Sequence, residues 1–347
     1  MSENLMAFFA PEADSVLKAL PKCNLHTHLE GSVRPETLWD LAQAQGVDVG
    51  LPQDAITAAM EITGEERHLQ DYLDKISITY QVLKDFNALR RTAFEAAEDA
   101  ARDGIVYFEL RGGPDTHVGP GLPLEAVIDA WLQGLRKAEA KYDIVCRLII
   151  CALRWNTPEV NLNLAHAALN FKNEGVAGFD LAGGEIAGDM VQYKAAFDVA
   201  RKGGLGITVH AGEAAGPENV RYAVEALEAT RIGHGVRSIT DPDVLALLRE
   251  RNILLEVCPT SNIHTQAIDR IKNHPVRQLY RQDIPISIGD DDPVTSRTRV
   301  SKELTLLQQQ FGFTYQELQH TQEMGIDAAF LTDTTLQGKL RNRITGG

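Results

Sequence analysis

Residues 176–212, VAGFDLAGGEIAGDMVQYKAAFDVARKGGLGITVHAG, decide the fold. Two short apolar runs, VAGFDLAG (176–183) and GITVHAG (206–212), flank a stretch of helical periodicity that ends at Gly203 and Gly204, the residue type expected just past a helix. Strand, helix, strand in this order is the unit of a parallel sheet. The unit repeats in both directions. Upstream lie CNLHTH (23–28), IVYFELRG (105–112) and VCRLIICAL (145–153); downstream lie RIGHG (231–235), LLEVCPTS (254–261) and PISIGDDD (285–292). Helical stretches such as 123–142, 159–175, 219–230 and 241–252 separate them. Eight such repeats predict an α/β fold, a (β/α)8 TIM barrel.

The span from about 33 to 104 is too long for one crossover and is expected to hold the first helix and a helical insertion after strand 1, over the barrel mouth. Its Leu73, Ile76 and Ile78 are candidates for a lid over the site, or for ordinary helix packing. The tail after residue 293 is expected to add helices that close the barrel.

Bulk properties fit one domain over 1–347. A chain of 347 residues with 44% hydrophobic and 24% charged residues buries a sizeable core, and no Pro/Gly/Ser-rich linker interrupts it. The net charge of −14 repels phosphate backbones and anionic membrane surfaces, so nucleic acid and membranes are excluded as expected partners. Cys23, Cys146, Cys151 and Cys258 lack CxxC spacing, and the acidic start MSENLMAFFAPEADS lacks a basic n-region. Reduced thiols and a cytoplasmic location are the expectation. Oligomeric state is not legible.

Barrel enzymes place their chemistry at the C-terminal ends of the strands. Here His26 and His28 end the first run, two positions apart and on one face. His210 ends the fifth and is followed by Glu213; His234 ends the sixth; Asp290, Asp291 and Asp292 end the eighth. One strand-end histidine is commonly a hydrogen-bonded structural residue, but four with carboxylates on one rim point to a metal. Imidazole and carboxylate without thiolate suit Zn²⁺ better than iron or manganese. His26, His28, His210 and one aspartate of the eighth run make four ligands, and such an ion lowers the pKa of a bound water toward about 7. His234 is then a non-ligand that accepts the water's proton or stabilises the hydroxide, and Glu213 a proton donor to substrate. In a regular strand Asp291 facing inward turns Asp290 and Asp292 away, although Pro293 bends the path enough to bring Asp292 back.

Other chemistries find less support. Ser261, His264 and Asp269 lack a G-x-S-x-G elbow, which argues against serine hydrolysis. GGPDTHVGPG (112–121) has neither GxxxxGK[ST] nor GxGxxG order and reads as an ordinary βα loop. His68, His117, His166, His274 and His320 read as structural or solvated.

PKCNLHTHLEGS (21–32), YFELR (107–111), GFDLAGGE (178–185), TVHAGE (208–213), RIGHG (231–235), EVCPTSN (256–262) and DDDP (290–293) resemble, in order and spacing, the adenosine deaminase family of zinc-dependent barrel hydrolases. The resemblance implies one Zn²⁺ per chain held by His26, His28, His210 and Asp291. It implies that Glu213 protonates purine N1 while hydroxide, oriented by His234 and Asp292, attacks C6 and ammonia leaves. It also implies substrate contacts from His28, Glu30, from Gly183 through its backbone to N3, and from Asp292 to N7. The H-x-E and P-C-x-x-C signature of nucleic-acid deaminases is absent.

Three positions depart from the family pattern. Glu30 stands where nucleoside deaminases carry an aspartate that meets the ribose, Gly184 replaces an acid, and Asp290 replaces Thr or Ser. The expected activity is deamination of a 6-aminopurine nucleoside, most simply adenosine or 2′-deoxyadenosine. Glu30 keeps adenine and 6-aminodeoxyfutalosine as alternative substrates. A catalytically silent purine-binding protein is the reading from a different class, and the complete metal set with Glu213 and His234 counts against it. Strand four, FDLAG, offers no bridging lysine for a second metal.

Overall fold

The computed structural model describes residues 7–66, 69–186 and 189–346; His68 lies outside them. Eight strands run β1 (Lys22–His28), β2 (Ile105–Gly112), β3 (Val145–Leu153), β4 (Val176–Ala182), β5 (Gly206–Ala211), β6 (Arg231–His234), β7 (Leu254–Val257) and β8 (Ile286–Ile288). They pair in sequence order, each parallel to the next. Closure comes at the top of β1, where Thr27 bridges Asp291, His28 N–H donates to Asp291 O at 2.8 Å, and Asp291 N–H donates to His26 O at 3.0 Å. The (β/α)8 expectation is borne out.

Helices cover the outside because their sequences carry start and stop signals at the right places. Asp85, Thr157 and Asp241 accept hydrogen bonds from the first free N–H groups of the helices Phe86–Arg102, Pro158–Asn170 and Pro242–Glu250. Gly46 and Gly312 end Pro35–Gln45 and Val300–Phe311 in the left-handed conformation. The tail supplies the helices Val300–Phe311, Tyr315–Asp327 and Thr334–Thr345. Tyr315–Asp327 lies against β1, its Gly325 so near that a Cβ there would come within 2.5 Å of Cys23 Sγ.

Between β1 and β2 the chain forms Pro35–Gln45, Ile56–Met60, Leu69–Ser77 and Phe86–Arg102. Leu73 and Ile76 of Leu69–Ser77 line the cavity at the barrel mouth, whereas Ile78 packs into the hydrophobic core.

Two strand boundaries correct the sequence reading. The seventh strand stops at Val257, and Pro259–His264 is helical, because Pro259 fits the first helical turn. The eighth stops at Ile288, so Asp290, Asp291 and Asp292 lie beyond it and strand alternation does not govern them. Asp291 instead turns through a left-handed backbone, φ 58°.

The barrel's lower interior is charged. Arg231 binds Glu109 through two nitrogens at 3.1 and 2.5 Å and Glu256 at 2.7 Å, while Arg111 binds Asp180 at 2.9 Å and Glu256 at 2.7 Å. All five residues are fully buried, a state charges tolerate only when paired. No helix among the described residues is long and apolar enough to cross a membrane, and all four cysteines are unpaired and buried.

Candidate metal centre and active site

The charged interior holds the imidazoles above it. Glu256 Oε2 takes the Nδ1 proton of His26 at 2.9 Å, and Asp180 Oδ2 takes that of His210 at 2.9 Å. Each ring therefore turns Nε2 upward. Carboxylate support of this kind fixes the tautomer and raises the basicity of a ligating histidine. His26 Nε2 is buried and has no hydrogen-bond partner among the described residues. His28 Nε2 lies 3.2 Å from His210 Nε2 and 3.3 Å from Asp291 Oδ1. His26, His210, His234 and Asp291 offer ligand atoms within 4.8 Å of one another, all buried. One orphaned imidazole nitrogen and two more turned toward each other beside one carboxylate, with no thiolate, fit a divalent metal.

Glycines let these groups converge. A Cβ on Gly31 would come 2.0 Å from Asp292 Oδ1, and one on Gly289 would come 2.9 Å from His26 Cβ. His234 adopts φ 62°, a conformation that costs about 1–3 kcal/mol for a residue with a Cβ and that surrounding structure must impose. Asp291 is fixed from the side by Ser261, whose Oγ donates to Oδ2 at 2.7 Å. Burial pushes Asp291 upward, yet the imidazoles, His26 first among them, carry it well below the usual carboxylate range. Burial and then the charge of Asp291 push Asp292 well above that range, and Tyr72 Oη lies 3.2 Å from its Oδ2.

A relay of hydrogen bonds sets the tautomer of His234. Val276 N–H donates to His274 Nδ1 at 3.2 Å, so a neutral His274 carries its proton on Nε2, which meets Asn262 Oδ1 at 3.1 Å. The amide of Asn262 is thereby oriented, and its Nδ2 donates to His234 Nδ1 at 3.1 Å. Burial holds both histidines below the ordinary imidazole value, His274 at about 3. Neutral His234 then presents Nε2–H to the site, 3.6 Å from Glu213 Oε2 and 3.8 Å from Asp291 Oδ2.

Glu213 sits in the loop after β5. Thr265 Oγ1 donates to its Oε1 at 2.8 Å, leaving Oε2 toward His234. Glu185 shapes the loop itself, accepting the N–H groups of Gly212 (2.7 Å), Glu213 (3.0 Å), Ala214 (2.8 Å) and Ala215 (2.8 Å).

His28, His210, Glu213, His234, Asp291 and Asp292 border a cavity of about 500 Å³ at the strands' C-terminal end, which also meets Glu30, Tyr80, Trp155 and Gly183. A hollow of about 620 Å³ opens at the opposite end, near Leu254, Asp327 and Phe330, without any of the clustered imidazoles. Convergent chemistry, not size, distinguishes the site.

Of the residues singled out in the sequence for the site, His28, Glu30, Gly183, His210, Glu213, His234, Asp291 and Asp292 line this cavity. His26 lies beside it, with Nε2 3.3 Å from Asp291 Oδ1, whereas Asp290 turns away and accepts from Asn24 Nδ2 at 2.8 Å and Thr27 Oγ1 at 2.6 Å. Sequence reasoning missed the supporting groups Asp180, Glu256, Asn262, Glu185 and Tyr72, and set aside His117, His274 and Ser261. Polar residues inside otherwise apolar strand runs, Asp180 in GFDLA and Glu256 in LLEV, were a usable signal. Asn262, Glu185 and Tyr72 carry none that spacing reveals.

A parallel barrel with histidines and carboxylates converging at its strand ends defines a metal-dependent hydrolase. Residues 21–346 match the family model described as adenosine deaminase. An adenosine deaminase of Vibrio atlanticus is 34% identical over 319 residues, covering 92% of this chain and 96% of the relative. Among solved structures, adenine deaminase from Arthrobacter aurescens superposes with a TM-score of 0.86 at 25% identity, over 94% of this chain and 99% of that one. An amidohydrolase from Burkhoderia ambifaria with bound Zn gives 0.83 at 26% identity, over 100% of both chains. The chain belongs to the adenosine deaminase family, and membership implies a divalent metal.

Proposed function

We propose that this protein hydrolytically deaminates a 6-aminopurine nucleoside, most simply adenosine or 2′-deoxyadenosine, giving inosine or its deoxy form plus ammonia. The observation that carries the reading is the orphaned Nε2 of His26 beside Asp291, with Glu213 and the Nε2 of His234 facing the same cavity. One Zn²⁺ per chain, held by His26, His28, His210 and Asp291, would supply Lewis acidity that activates water at neutral pH. His234 donates its Nε2–H toward the attacking oxygen. Glu213, restrained at Oε1 by Thr265, gives a proton to ring nitrogen N1. Asp292 hydrogen-bonds N7, and Gly183, in left-handed backbone with φ 93°, lets the chain approach N3. Leu73 and Ile76 cover the mouth and limit water.

Glu30 favours a second reading within the same chemistry, in which adenine or 6-aminodeoxyfutalosine is the preferred substrate; the resemblance to an adenine deaminase supports it. Ammonia release from the zinc-loaded protein, compared for adenosine, 2′-deoxyadenosine, adenine and 6-aminodeoxyfutalosine at equal concentration, decides between them. Zinc and nucleoside bound tightly with no ammonia released would overturn the enzymatic reading in favour of a silent purine-binding protein.

A further inference from the structure

His117, in the loop after β2, is fully buried, stacked on Tyr80 (ring centroids 5.5 Å apart, 22° between planes) and set against Trp131 at 5.6 Å. Both ring nitrogens are engaged. Nδ1 meets Leu83 O at 3.2 Å, and a carbonyl only accepts, so Nδ1 is a donor there. Nε2 lies 3.0 Å from Glu30 Oε1, and because Nδ1 keeps its own proton this contact is a hydrogen bond through a second proton held between Nε2 and Oε1. Glu30 Oε2 has no hydrogen-bond partner among the described residues, and Glu30 lines the cavity. The carboxylate thus has one anchored oxygen and one that lacks a donor.

Its position says which end of a substrate would provide that donor. Gly31, the next residue, packs beneath Asp292, where a Cβ would come 2.0 Å from Oδ1. With N1 at Glu213 and N7 at Asp292, the purine presents its N9 side to the Asp292 and Glu30 wall. Glutamate is one methylene longer than aspartate, and the bond to His117 restrains that extra reach.

We propose that His117 is a specificity-determining positioning residue: by anchoring one oxygen of Glu30 it aims the other at a hydroxyl on the N9 substituent, selecting nucleosides over free base. The proposal rests on the deaminase reading above. It assigns work to a loop whose sequence shows none.

The test compares zinc-loaded wild type with His117→Phe, which keeps a buried ring, His117→Gln, which keeps a donor, and Glu30→Ala, on adenosine and adenine. For His117→Phe, kcat/KM on adenosine should fall about 10- to 100-fold, chiefly through KM, the range expected for a hydrogen bond to a charged group. On adenine it should change less than about threefold, since no such bond is made there. His117→Gln should recover part of the loss, and Glu30→Ala combined with His117→Phe should lose no more than Glu30→Ala alone. Equal losses on both substrates, or no loss on adenosine, overturn the positioning role. Ammonia from neither substrate with the wild type overturns the deaminase reading itself, and this inference with it. Wild-type turnover of adenine but not adenosine overturns the hydroxyl contact while leaving deamination standing.

Discussion

At the scale of residues, Glu213 and His234, the two side chains proposed to divide the proton work, are each held by a partner remote in sequence, Thr265 and Asn262. Glu213→Gln preserves shape and the Thr265 bond but removes the proton, so kcat should fall about 10²- to 10⁴-fold with zinc content unchanged. Steady-state kinetics with metal analysis checks this; substantial remaining turnover removes Glu213 as donor. Asn262→Ala releases His234 Nδ1, and the ring then populates the tautomer that lacks Nε2–H. A fall in kcat of at least about tenfold is expected with KM little changed, since a wrong tautomer costs far more in other enzymes. An unchanged kcat would show that the relay from His274 does not set the tautomer. His234 was legible because a histidine closing a barrel strand is conspicuous. Asn262 and His274 were not, because their contribution is a direction of hydrogen bonding that exists only once three segments meet.

At the scale of elements, runs of buried residues made the strands readable, but the chain just beyond them follows other rules. Strand alternation failed for Asp290, Asp291 and Asp292 because β8 ends at Ile288 and a positive φ at Asp291 redirects the backbone. The loop after β5 depends likewise on Glu185, which gathers four consecutive N–H groups. Glu185→Ala should loosen residues 212–215, lower kcat/KM about 10- to 100-fold and speed amide exchange in that loop. Protection that persists would refute the loop role.

The segment after β8 has its own anchor in Glu303, which accepts from Thr260 N at 3.1 Å and Thr298 Oγ1 at 2.5 Å. Burial pushes its carboxyl from 4.5 up to about 7. Between those values the unfolded chain has released this proton while the folded chain retains it. The folded state therefore binds more protons, and the stability this carboxyl confers is lost as pH rises from about 4.5 to 7. Glu303→Gln should remove a component on the order of 3 kcal/mol from the pH dependence of urea unfolding. Parallel profiles for the two proteins would exclude it.

At the scale of the molecule, the barrel axis joins stability to chemistry. The fold was legible because a parallel barrel repeats one unit and writes each strand as an apolar run. The polar axis was harder to see: Glu109, Arg111, Arg231 and Glu256 stand out as charges within those runs, but their pairing appears only when closure brings the strands together. Arg231 links two functions: it neutralises Glu109 and Glu256, and Glu256 in turn orients His26. Arg231→Met retains much of the packing against Phe330, where the guanidinium lies 3.6 Å from the ring, but leaves Glu109 without its two-nitrogen partner. Breaking such a buried pair should cost about 3–5 kcal/mol in urea unfolding of the metal-free protein. Glu256 keeps Arg111, so His26 stays supported but less firmly, and zinc affinity should fall about 10- to 100-fold as for other losses of ligand support. Loss of stability with unchanged zinc affinity would confine Arg231 to holding the barrel together; loss of both would make the charged interior the common support of fold and metal site.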